Sequence, residues 1–155
     1  MSVKTTRPPR DLWAACEGVS IVEFALVVGL LCTLVLGVLD FGRGYWQFNQ
    51  VRTAAQAGAQ YAMINGFNST SITSAVTGAT SVSSLTATPA PAQTCGCPNT
   101  SSGITAATCG AACTGGGTAD TYITIGAQAS YRTIFTWPGI SNPMTLSSTA
   151  IVRCC

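Results

Sequence analysis

The sequence predicts an α+β chain: a long N-terminal membrane helix that continues outside the membrane and packs against a small antiparallel β-sheet. Three observations predict it. Only 8% of the 155 residues are charged, against roughly 25% in an ordinary soluble domain. The stretch Val19–Leu39, VSIVEFALVVGLLCTLVLGVL, carries Glu23 as its one charge. Near the C-terminus, two segments alternate apolar and polar residues in the period of half-buried strands.

Residues 1–18 form a polar leader with Lys4, Arg7, Arg10, Asp11 and Glu17, five of the twelve formal charges. The 21 residues that follow reach about 31 Å as a helix, close to the roughly 30 Å hydrocarbon thickness of a bilayer. Residues 19–40 are therefore read as a transmembrane helix. The basic leader favours a cytoplasmic N-terminus, and Phe41, Tyr45, Trp46 and Phe48 place aromatic rings at headgroup level beyond the span. A body rich in Ser, Thr and Cys suits the extracytoplasmic side. The helix is expected to run on through residues 41–66, because Val51, Ala54, Ala55, Gly58 and Ala62 recur at helical spacing. Asn65-Gly66 is its stop signal. A helix from 19 to 64 would measure about 69 Å.

Residues 67–155 are read as the exported α+β domain. Thr70–Val82 is a short second helix, and Leu85–Ala90 a strand that Pro89 and Pro91 confine to an edge or end. Residues 94–119 are read as a cysteine-rich loop. Tyr122–Phe135 carries Ile123, Ile125, Ala127, Ala129 and Tyr131 on one face, and Met144, Leu146, Ala150 and Val152 mark a last strand. Trp137-Pro-Gly139 and Ser141-Asn-Pro143 are turns, and Asp120 is expected to cap or close one.

Composition excludes several functions. The chain has no His and five carboxylates, so groups that titrate near neutrality are missing and catalysis is not expected. A net charge of +2 supplies no basic face, which excludes nucleic acid as a partner. No cofactor and no metal are expected. Gly115–Gly117 lacks a following Lys-Ser/Thr and is not a phosphate loop.

Two features of the helix point to assembly. Ala25, Gly29, Thr33 and Gly37 fall every four residues, a smooth strip on which a second backbone can approach closely. Glu23 stands in the first turns of the span, where a carboxylate costs a few kcal/mol unless it is paired, protonated or near the headgroups.

The order of polar leader, Gly18, Val19-Ser-Ile-Val-Glu23-Phe24 and apolar helix resembles a type IV prepilin-like signal. In such signals a cytoplasmic-face peptidase cuts after the Gly and a Glu sits fifth in the mature chain, as Glu23 does counted from Val19. The longer string from Gly18, with Leu39-Asp-Phe-Gly-Arg43 and Val51-Arg-Thr-Ala-Ala-Gln-Ala-Gly-Ala-Gln-Tyr-Ala62, is similar to the TadE-like family. Its members are pseudopilin-like components of the bacterial tight-adherence (Tad, or Flp) pilus system. The resemblance implies a pilin-like fold, a processing site at Gly18 and Val19, and assembly residues at Glu23, Phe24, Ala25, Gly29, Thr33 and Gly37. A new α-amine at Val19 would be one helical turn from Glu23 and is its natural counter-charge. The implied partners are the inner membrane, other pilins and pseudopilins, Tad assembly proteins and a prepilin peptidase. Cys16-Glu17 replaces the basic pair that many relatives carry before the Gly, and the segment from Thr94 to Thr114 lies outside the family core.

Six cysteines fall in the exported body: Cys95, Cys97, Cys109, Cys113, Cys154 and Cys155. An oxidising compartment favours disulfides among them. Six cysteines allow fifteen pairings; bonds across the 94–114 loop, or from it to Cys154 and Cys155, avoid the strain of near neighbours. A four-thiolate Zn site is the competing reading. The expected function is a minor pilin, pseudopilin or assembly component of a Tad-type pilus or secretion machine. The alternative is an uncleaved bitopic envelope protein whose disulfide-linked exported domain binds another envelope component.

Overall fold

In the computed structural model, residues 11–99, 103–136 and 138–154 are described, with side chains from residue 20 onward. The chain divides into two units, Met1–Phe41 and Gly42–Cys155. Helix α1, Asp11–Asn65, contributes to both and starts upstream of Val19. It ends where the sequence places its stop: Gly66 takes φ 75° and its N–H reaches the Ala62 carbonyl at 3.0 Å. Glycine reaches that left-handed conformation without a Cβ penalty.

Helix α2, Ser69–Gly78, begins at Asn68, whose side chain accepts from the Ser71 N–H at 3.0 Å. That contact satisfies one of the orphan donors of the first turn. Four antiparallel strands follow: β1 (Ala92–Asn99), β2 (Gly103–Ala106), β3 (Asp120–Tyr131) and β4 (Met144–Arg153), in the order β2-β1-β3-β4. Strand β3 pairs with β4 along ten positions, from Tyr122 opposite Arg153 to Tyr131 opposite Met144. The chain is thus α+β, with a long apolar helix and a small antiparallel sheet.

The core of the second unit sits between α1 and the sheet. Val51, Ala54, Ala55, Ala59 and Ala62 of α1 meet Ile72 and Val76 of α2 and the inward row of β3, Ile123, Ile125, Ala127 and Ala129. The helix face is mostly alanine, so the larger side chains of α2 and β3 fill the space against it. Gly58 marks the tightest point: a Cβ there would stand 2.5 Å from Val76 Cγ2 and 3.0 Å from Ile125 Cγ2.

Four expectations are corrected. Leu85–Ala90 forms no strand but a single bridge, Thr86 to Gln128, since Pro89 and Pro91 offer no N–H to a ladder. Residues 94–119 are not all loop: most of β1 and all of β2 lie there. Their small residues, Gly96 and Pro98 hide the alternation; backbone pairing with β3 from Ala92–Thr124 to Gly96–Asp120 supplies the order instead. Strand β3 stops at Tyr131, short of Phe135. Asp120 caps no turn: it begins β3 and forms an ion pair with Arg153, beside the Tyr122–Arg153 register position. Arg153 is 66% exposed, so solvent screens the pair. Asp120→Asn is expected to change stability by less than about 1 kcal/mol, measurable by urea unfolding.

Candidate functional site

Gly18 and Val19 lie within α1. From residue 20 the first unit presents apolar surface almost everywhere. Eleven large apolar side chains between Ile21 and Leu39 are 51–73% exposed, far beyond what a water-facing helix tolerates as a continuous surface. The helix is long and apolar enough to cross a membrane. Glu23 is exposed, and Phe24 is 70% exposed.

Ala25, Gly29 and Thr33 share one exposed face, and Gly37 is half-buried. A Cβ on Gly29 would meet nothing within 4 Å. Thr33 Oγ1 donates to the Gly29 carbonyl at 2.9 Å, which satisfies the hydroxyl inside the helix, as a hydrocarbon surrounding requires. The strip is therefore smooth and carries no unpaired hydroxyl. One carboxylate escaped sequence reasoning: Asp40, at the end of the apolar run, is only 3% exposed. Its signal was its position, a charge directly after sixteen uncharged residues.

In the second unit, disulfides join Cys95 to Cys109 and Cys97 to Cys113, with Cα separations of 5.2 and 5.7 Å. Cys95 and Cys97 are two residues apart on β1 and so face the same side of it. Both bonds fasten that side to the segment 107–119. That segment closes on itself through Gly110 N–H to Ala119 O (3.0 Å), Ala119 N–H to Ala111 O (2.8 Å) and Cys113 N–H to Gly117 O (3.0 Å). With the four loop cysteines joined in pairs, no bond runs from the loop to Cys154; Cys155 lies outside the described residues. Cys154 is half-buried beside the core, and its N–H donates to the Thr121 carbonyl at 2.9 Å. Among the described residues, no group of three or more His, Cys, Asp or Glu is placed to hold a metal ion.

Residues 18–60 match the family model described as TadE-like protein. This stretch is similar to TadE-like proteins. It takes in Gly18, Glu23, the small-residue strip and the α1 face as far as Ala59. No curated protein and no solved structure matches the chain. The TadE-like family, to which these residues are similar, is a structural family associated with the Tad pilus. The match stops at residue 60, before α2, the sheet and both disulfides.

Proposed function

We propose that this chain is a minor pilin or pseudopilin of a Tad-type pilus or secretion machine, acting by lateral association of its helix with like helices. The match of residues 18–60 to the TadE-like family carries the reading, because it covers the apolar run together with Gly18 and Glu23. In this reading residues 1–18 are a cytoplasmic leader and 19–40 span the inner membrane. Residues 41–66 extend the helix outside, and 67–155 form the exported domain. The strip of Ala25, Gly29, Thr33 and Gly37 takes a neighbouring backbone at close range. A prepilin-type peptidase cuts between Gly18 and Val19, and the new α-amine of one chain, or of a neighbour, pairs with Glu23.

Two measurements test this. Protein extracted from its native host should have a mass and N-terminus beginning at Val19. A chain that retains residues 1–18 would move the function to the uncleaved bitopic reading, in which the disulfide-linked domain binds another envelope component. Glu23→Val removes the costly charge from the span and should leave membrane levels unchanged while surface pili fall steeply. Normal piliation by that variant would remove Glu23 from the mechanism.

A further inference from the structure

The end of the second unit at which the chain enters from the apolar run differs in composition from the rest. There the first turns of α1 in this unit lie beside the C-terminal end of β3. Tyr131 Cε1 is 3.4 Å from where a Cβ on Gly44 would stand, and Gln47 Nε2 donates to the Ser130 carbonyl at 3.2 Å. Arg43 from α1 and Arg132 from just past β3 line one shallow groove with Trp46. Ser84 closes its wall, donating from Oγ to the Ser130 carbonyl at 3.1 Å. The one carboxylate side chain of residues 42–155, Asp120, begins β3, eleven residues from Tyr131 and about 36 Å away at strand rise. This end therefore presents two cations, and the nearest carboxylate in sequence, Asp40, one helical turn before Arg43, is only 3% exposed.

Directly after Arg132 the connection to β4 turns apolar side chains to the outside. Ile134 is 53% exposed, Phe135 46% and Ile140 38%. Trp46, on α1, is 60% exposed. Arginine, tryptophan and exposed aliphatic side chains together are the composition of a surface that sits at a membrane–water boundary. Arg43 follows Leu39 by four residues, about 6 Å of helix rise. That is headgroup depth when Val19–Leu39 fills the hydrocarbon.

We propose that this end of the domain docks on an anionic phospholipid bilayer: Arg43 and Arg132 bind headgroup phosphate while Ile134, Phe135 and Ile140 dip into the acyl boundary. The proposal rests on the membrane-span reading of residues 19–40. Its consequence is mechanical, since a second contact besides the span would fix the domain on the membrane until assembly lifts it off.

The test is hydrogen exchange of the full chain in lipid nanodiscs, of phosphatidylcholine alone or with phosphatidylglycerol mixed in. Amides of residues 132–143 should exchange about tenfold more slowly in the anionic discs, equivalent to about 1.4 kcal/mol. Arg43→Gln combined with Arg132→Gln should abolish that difference, with the β3–β4 amides unchanged as the control for folding. Ile134→Ser with Phe135→Ser should speed exchange of the loop in both disc types. Equal loop exchange in anionic and neutral discs, or protection that survives the double Gln variant, overturns the proposal. Slow exchange of residues 20–39 in every disc shows the span intact, so docking can fail while the span reading stands. Fast exchange of 20–39 overturns both. Protection that appears only on adding a soluble acidic protein assigns the groove to a protein partner and overturns the lipid.

Discussion

Gly58→Val is expected to destabilise the second unit by about 3 kcal/mol or more, lowering its melting temperature by more than about 10 °C. A Cβ at this position would come within 2.5 Å of Val76 Cγ2 and 3.0 Å of Ile125 Cγ2, and valine adds two further methyls. Neither neighbour can yield. Both are β-branched, so their χ1 rotamers are stiff, and both are fully buried. The gain in helix propensity on replacing glycine is below about 1 kcal/mol and cannot offset the overlap. Gly42→Ala is the control. A Cβ there meets nothing within 4 Å, so it should be neutral or stabilising by up to about 1 kcal/mol. Thermal unfolding of the detergent-solubilised chain, followed by circular dichroism, separates the two variants. A Gly58→Val protein that melts with the wild type would mean that α1 does not pack on β3 and α2 at this point.

The second large effect belongs to the disulfides. Replacing Cys95, Cys97, Cys109 and Cys113 by serine is expected to release β1, β2 and the 107–119 segment while the α1–β3–β4 core persists. Each bond closes a loop of 14 or 16 residues, worth about 3 kcal/mol alone in the chain-entropy model. The two loops share most of their residues, so the second bond adds less than the first. The effect is local because the buried apolar cluster takes no residue from 92–118. With no side chain in that cluster, the β1–β2 hairpin has little besides backbone pairing and the two bonds to hold it. A two-stranded hairpin is marginal on its own in water. Hydrogen exchange checks the outcome: amides of 92–106 should lose protection in the serine variant, and those of Ile123–Ala129 should keep it. Uniform loss across the sheet would show that the disulfides support the whole fold.

The elements that could be read from the residues are those whose two faces meet different media. Ile21–Leu39 is almost wholly apolar, and eleven of its large side chains are more than half exposed, a surface suited to a hydrocarbon solvent. Strands β3 and β4 alternate because one face packs on α1 and α2 and the other does not. The end of α1 was written in Asn65-Gly66, where the backbone needs a positive φ. What the residues hid lies where order comes from distant partners. Strand β1 has glycine and proline within it and no apolar row; its strand character comes from pairing with β3, some 28 residues on. Choosing two cystines out of fifteen pairings needed β1 to lie against the 107–119 segment. Asp120 looked like a lone carboxylate until the β3–β4 register brought Arg153 beside it, 33 residues away. Gly58 read as one small residue among alanines until Val76 and Ile125 closed over it. Period and composition report the medium on each side of an element. Which elements meet, and at what register, is set by non-local packing, and that only the tertiary structure decided.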